Sequence, residues 1–165
     1  MSFDTPHSPK NREINNVAAL KVPPHSVDAE QAVLGGLMLD NTEWDNLADV
    51  LLPEDFYRPE HQIIFRVMSQ QSEDRSPIDV VTLMGSLNSL NELESAGGIE
   101  YLSELTDNAR GTANIHAYAE IIRERAILRR LISVANGIAN SGYNTGGKKA
   151  AVVLDEAEQE VFSIA

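Results

Sequence analysis

ANIHAYAEIIRERAILRRLISVANGIANS, residues 113–141, is the stretch whose reading decides the fold. It holds no proline and is dominated by helix formers, so it predicts a single helix of nearly thirty residues, roughly 40 Å long at about 1.5 Å per residue. Set at about 100° per residue, Ile115, Tyr118, Ala119, Ile122 and Ala126 share one face. Ile127, Leu128, Leu131, Ile132, Val134, Ala135, Ile138 and Ala139 centre on a face roughly 150° away. The helix therefore changes partner near Ala126: its first half packs on the chain that precedes it, and its second half on something else.

Part of that second partner follows directly. A Gly-rich turn around SGYNTGG, residues 141–147, leads to Ala150, Val153, Leu154, Ala157, Val161 and Ile164 at helical spacing, which makes an antiparallel helical hairpin. Two helices enclose too little volume to bury so wide a stripe, so apolar surface stays exposed unless another chain covers it. Self-association is the simplest cover. Ile127, Leu131, Val134 and Ile138, with Val153, Leu154, Ala157 and Val161, are the expected hairpin core and subunit-pairing residues; periodicity does not separate the two roles. No stop signal precedes Ala165, so the second helix is expected to be still running there, which fits either a cut sequence or an ordered part of a longer chain.

Upstream, residues 1–25 carry Pro6, Pro9, Pro23 and Pro24 with no apolar period and read as a flexible tail. Ser26 then caps a helix whose first turns carry Asp28 and Glu30, where the helix dipole favours negative charge. Val33, Leu34, Leu37 and Met38 lie at helical spacing there. Gly35 and Gly36 sit mid-helix at a cost of about 1 kcal/mol each relative to Ala, which points to close packing of another helix. Asn41 or Thr42 caps a second helix through Leu52, ended by Pro53. Pro59 opens a third with Ile63, Ile64, Val67 and Met68 as its stripe. Asp79 caps a fourth with Val80, Leu83, Met84 and Leu87, and Gly97-Gly98 precedes a fifth with Ile99, Leu102 and Leu105. The class is all-α: a small globular bundle over residues 26–112, then a long antiparallel hairpin over residues 113–165.

Charge divides the chain in the same places. Residues 23–109 hold three basic and seventeen acidic side chains, a net −14, whereas residues 1–22 and 110–165 are each +1, within a total of −12. An acidic body does not bind phosphate backbones, which need clustered Lys and Arg, so no direct nucleic-acid contact is expected. There are no cysteines, which removes disulfides, thiolate metal sites and cysteine nucleophiles and fits a reducing compartment. No apolar run approaches the roughly 20 residues that span a bilayer, and the expected location is the cytoplasm.

The chemical motifs are weak. Residues 142–149, GYNTGGKK, match the phosphate-loop pattern G-x-x-x-x-G-K, but Lys149 stands where Ser or Thr must hold magnesium, and a helix rather than a strand precedes the loop. A hairpin turn explains it better than an NTP-binding module. His61 beside Glu60, and His116 with Glu120, lack the further ligands a metal needs. Asp45 with Asp49, and Glu92 with Glu94, read as solvated carboxylates. No catalytic, cofactor-binding or metal residue is expected. Arg123, Arg125, Arg129 and Arg130 form the dense basic cluster, read as salt-bridge partners of Glu120, Glu124 and the acidic body rather than as a nucleic-acid patch, since no aromatics interleave.

Several stretches are recognisable as blocks: LKVPPHSVDAEQAVLGGLMLDN, DFYRPEHQIIF, SPIDVVTL, GGIEYLSEL and ANIHAYAEIIRERAILRRLISVANGIA. In this order, over roughly residues 20–165, they resemble the N-terminal domain of bacterial replicative DnaB-type helicases. The resemblance implies a helical domain and hairpin whose copies pair as a collar on a hexameric ring. It implies docking of the C-terminal domain of primase at the replication fork, with loader proteins acting on the ring. It places ATP, magnesium and the ATPase site of the parent chain beyond Ala165, so the segment itself is expected to be non-catalytic. The arginine cluster and the acidic body are candidates for primase contact. A stand-alone helical adaptor that never joins a motor is the alternative.

Overall fold

Ser26 accepts the Ala29 amide on its hydroxyl at 3.3 Å and so starts α1, Val27–Leu39. Around that helix the computed structural model, which describes residues 21–111 and 114–164, arranges α2 (Trp44–Ala48), α3 (Pro59–Glu73), α4 (Val80–Ser89), α5 (Gly98–Ala109), α6 (Ile115–Tyr143) and α7 (Ala150–Phe162). There is no strand among the described residues. Val33, Leu34 and Leu37 are fully buried against α5 and the first half of α6.

The two mid-helix glycines explain how α1 takes helices on two sides. A Cβ on Gly35 would fall on the Leu105 carbonyl oxygen and within 2.7 Å of Ala109 Cβ, so α5 approaches to backbone contact there. A Cβ on Gly36 would meet Ile115 Cδ1 of α6 at 2.9 Å. The expected close packing is therefore what these glycines serve.

Elsewhere the core follows the predicted stripes with additions. Phe65 lies between Trp44 and Phe56, with ring centroids 5.1 and 4.9 Å away. Asp79 caps α4 by accepting the Thr82 amide at 2.8 Å, while the Thr82 hydroxyl accepts the Asp79 amide at 3.1 Å. Ile99, expected on the buried face of α5, is 47% exposed, while Leu102 and Leu105 are buried.

Three expectations are corrected. The helix predicted from Asn41 or Thr42 to Leu52 is capped instead by Asp40, which accepts the Thr42 amide at 3.0 Å, and is shortened to a 3-10 turn plus the five residues of α2. Asn41 is spent elsewhere, accepting the Ile78 amide at 2.9 Å, and the chain must be extended at Leu52 before Pro53. The tail predicted through residue 25 is already anchored at its last residues, as described below; residues 1–20 lie outside the described residues. The second hairpin helix ends at Phe162, where the Ser163 amide donates to the Gln159 and Val161 carbonyls; the predicted end at Ala165 lies outside the described residues.

The long helix is capped by Asn114, whose side chain accepts the Ala117 amide at 3.2 Å; the predicted start at Ala113 lies outside the described residues. Its buried residues are Ala119, Ile122 and Ala126, and none follows Ala126. The change of partner falls where the periodicity put it. The first three turns of α6 thus pack on the body.

Candidate functional site

The basic cluster sits where α6 leaves the body, and its main partner is a residue no motif pointed to. Asp55, in the turn Pro53–Asp55, is fully buried. Its Oδ1 receives Arg123 at 3.2 Å and Arg130 at 2.6 Å, and its Oδ2 receives the Leu52 amide at 2.8 Å. Arg129 spans the remaining gap, donating to the Asp55 carbonyl at 2.6 Å and to the Pro24 carbonyl at 2.8 Å. Its guanidinium carbon lies 5.5 Å from the centre of the Tyr57 ring, and Tyr57 stacks on His25 at 4.0 Å. Burial lowers the Arg129 guanidinium from its ordinary value, and the neighbouring Glu30 and Asp55 work against that shift. Arginine stays charged throughout.

Three of the four arginines therefore clamp the root of the hairpin to the body, and Pro24 and His25 with it. The acidic body was the expected partner; Glu120 and Glu124 are not the residues that take them. Arg125 is half-buried and makes no ion pair among the described residues.

A second polar assembly lies beneath. Glu30 is 1% exposed, accepts the Tyr57 and Arg58 amides at 2.9 and 3.3 Å, and faces His61 Nδ1 at 2.7 Å. His61 Nε2 lies 2.5 Å from the Tyr101 hydroxyl, to which Gln31 donates at 3.2 Å. These distances link the Glu30 carboxyl, both ring nitrogens of His61 and the Tyr101 hydroxyl in one hydrogen-bonded chain. A Glu–His–Tyr relay resembles acid–base machinery, but His61 is 0% exposed, so no substrate reaches it. It ties α1, α3 and α5 together. Burial raises the Tyr101 hydroxyl above its ordinary value.

GYNTGGKK is the hairpin turn. Gly142 and Tyr143 finish α6, Gly146 and Gly147 take left-handed backbone at φ 64° and 82°, and Lys148 reaches Glu156 at 2.8 Å. The preceding element is a helix and no hydroxyl stands at position 149, so the residues do not fit a nucleotide and magnesium. Among the described residues no three His, Asp or Glu side chains gather as a metal site. His116 pairs with Glu43 at 3.0 Å, and Asp45 and Asp49 are exposed.

Exposed apolar surface remains on the hairpin. Ile127, Val134, Ile138, Val153 and Ala157 are half-buried, whereas Leu131, Leu154 and Val161 are 46%, 61% and 48% exposed. Leu128, Ile132, Val152 and Phe162 add to the exposed set, and α7 has no buried residue at all. Two helices cover only the sides they turn toward one another. Of the eight residues, five are thus half-buried and three exposed, a difference that periodicity left merged.

Comparison with known proteins follows the same outline. A model of the DnaB-like helicase N terminal domain matches residues 22–124. The chain is 49% identical over 148 residues to the replicative DNA helicase DnaB of Haemophilus influenzae, covering 90% of this chain and 32% of that protein. It thus spans about a third of the length of the curated relatives it matches. Among solved structures, the N-terminal domain of DnaB helicase from Mycobacterium tuberculosis superposes with a TM-score of 0.82 at 34% identity, covering 86% of this chain and 99% of that one. The N-terminal domain of DnaB helicase from Helicobacter pylori, described together with its interactions with primase, gives 0.60 at 28% identity over 71% of this chain and 91% of that one.

Proposed function

The chain belongs to the family of DnaB-like helicase N-terminal domains, and from that membership we propose that it works as an assembly collar, pairing with copies of itself within a hexameric replicative helicase and docking primase. The observation that carries the pairing is the outward apolar row Leu131, Leu154 and Val161 on a hairpin with no closed core of its own. Exposed apolar surface is stabilised by a second protein surface at about 25 cal/mol per Å² removed from water. A C2 pairing of two hairpins would supply an identical strip on each side.

Primase docking rests on the relatives, since the Helicobacter pylori domain is described together with its interactions with primase. The acidic body, with Arg125 beside it, is the surface we assign to that contact. In this reading ATP, magnesium and strand separation belong to the rest of the helicase, loader proteins act on the assembled ring, and the site of action is the replication fork in the cytoplasm. No described helix is long and apolar enough to cross a membrane. The test is the solution mass of the chain against its Leu131→Asp variant, followed by calorimetric titration with the C-terminal domain of primase. Loss of mass in the variant, and heat of binding with the unaltered chain, are the expected results.

A further inference from the structure

A groove of about 570 Å³ runs between α3 and α4, closed at one end by the turn through Ser76 and Pro77. It lies apart from the pairing surface, because α4 packs on α3 and α5 whereas the hairpin helix α6 packs on α1. Two independent features of its lining are not accounted for by packing within the fold: a glycine and one buried side-chain oxygen. Gly85 is a mid-helix glycine in α4, a poor helix residue, yet a Cβ there would meet nothing within 4 Å. Unlike Gly35, it is not required by any neighbour. Gln71, 5% exposed, donates to Ser86 Oγ at 3.2 Å while its carboxamide oxygen has no hydrogen-bond partner. A buried polar atom left unpaired is costly, and a native fold keeps few of them without a reason.

We propose that this groove docks a short basic amphipathic segment of a partner protein. Small residues on α4 allow the segment's backbone to come close, with Gly85 as the point of closest approach. Exposed Leu90 and Pro77 take its apolar side. Asp74 is the charged residue in the lining, and the body around it carries net −14 over residues 23–109, so the complementary charge is Lys or Arg. An N–H of the segment that reaches the floor completes the Gln71 carboxamide.

The experiment titrates the isotope-labelled chain with a short amphipathic peptide of Leu, Ala and Lys and follows amide shifts. Shifts gathered at Gln71, Asp74, Gly85 and Ser86 are expected; shifts spread over the acidic surface, or gathered on the hairpin, overturn the proposal. A peptide with Glu in place of Lys should bind at least about tenfold more weakly, and equal affinity overturns the charge assignment. Gly85→Gln puts a Cβ where nothing lies within 4 Å, extends a side chain toward the groove and improves helix propensity. It should leave the melting temperature unchanged or raised while weakening the Lys peptide at least about tenfold. Unchanged affinity in that variant contradicts the site.

Discussion

Arg130 of the hairpin root reaches the buried carboxylate of Asp55 at 2.6 Å, across 75 positions of sequence. That contact, with Arg123 on the same oxygen, sets where the exposed half of α6 leaves the body. Removing the charge leaves two guanidinium groups about one-third exposed without their partner. Breaking a buried pair costs about 3–5 kcal/mol, and the partial exposure of the arginines reduces that. Asp55→Asn should lower unfolding stability by about 2–3 kcal/mol in urea titration; an unchanged midpoint would show that the clamp carries no weight.

Gly35 and Gly36 are neighbours with opposite expectations. Gly35→Ala places a methyl on the Leu105 carbonyl, which cannot move without α5, so a loss of about 3 kcal/mol or more is expected. Gly36→Ala meets only the terminal carbon of Ile115, a flexible end, and gains about 1 kcal/mol of helix propensity. It should be close to neutral. Thermal unfolding of the two variants side by side checks the contrast, and equal losses would contradict the packing described.

The half-buried Tyr101 hydroxyl titrates above its ordinary value of 10.0, chiefly because partial burial disfavours the phenolate. The folded value is raised, so the associated stability is present below the unfolded value and is lost as pH rises through the folded one. Ultraviolet titration of the four tyrosines should show one late component, absent in Tyr101→Phe, and that variant should have a shallower loss of stability at alkaline pH. A late component that survives in Tyr101→Phe would assign the shift elsewhere.

Much of this architecture was legible because it is periodic and local. The four- and three-residue spacings of Ala119, Ile122 and Ala126 located the point where α6 changes partner, and the paired mid-helix glycines announced a close approach. The clamp and the Glu30–His61–Tyr101 assembly were not legible, since their members are 31 to 75 positions apart and no spacing rule connects them. The same holds for Pro24, fixed by Arg129 from 105 positions away, and for Asn41, turned from a helix cap into the acceptor of the Ile78 amide. The split of the hairpin stripe depends on the angle at which α7 lies on α6, which appears only when both helices are placed.

The central claim is that the outward face of the hairpin is an interface between copies of this chain. The direct measurement is multi-angle light scattering of the chain over a range of concentrations, beside Leu131→Asp and Ser133→Asp. Both positions are exposed on α6, so both variants should keep the helical circular-dichroism signal of the parent. The account predicts a mass above that of the 18.1 kDa chain for the parent and for Ser133→Asp, and a fall toward the single chain for Leu131→Asp. A Leu131→Asp protein that keeps the parent mass at every concentration would contradict it.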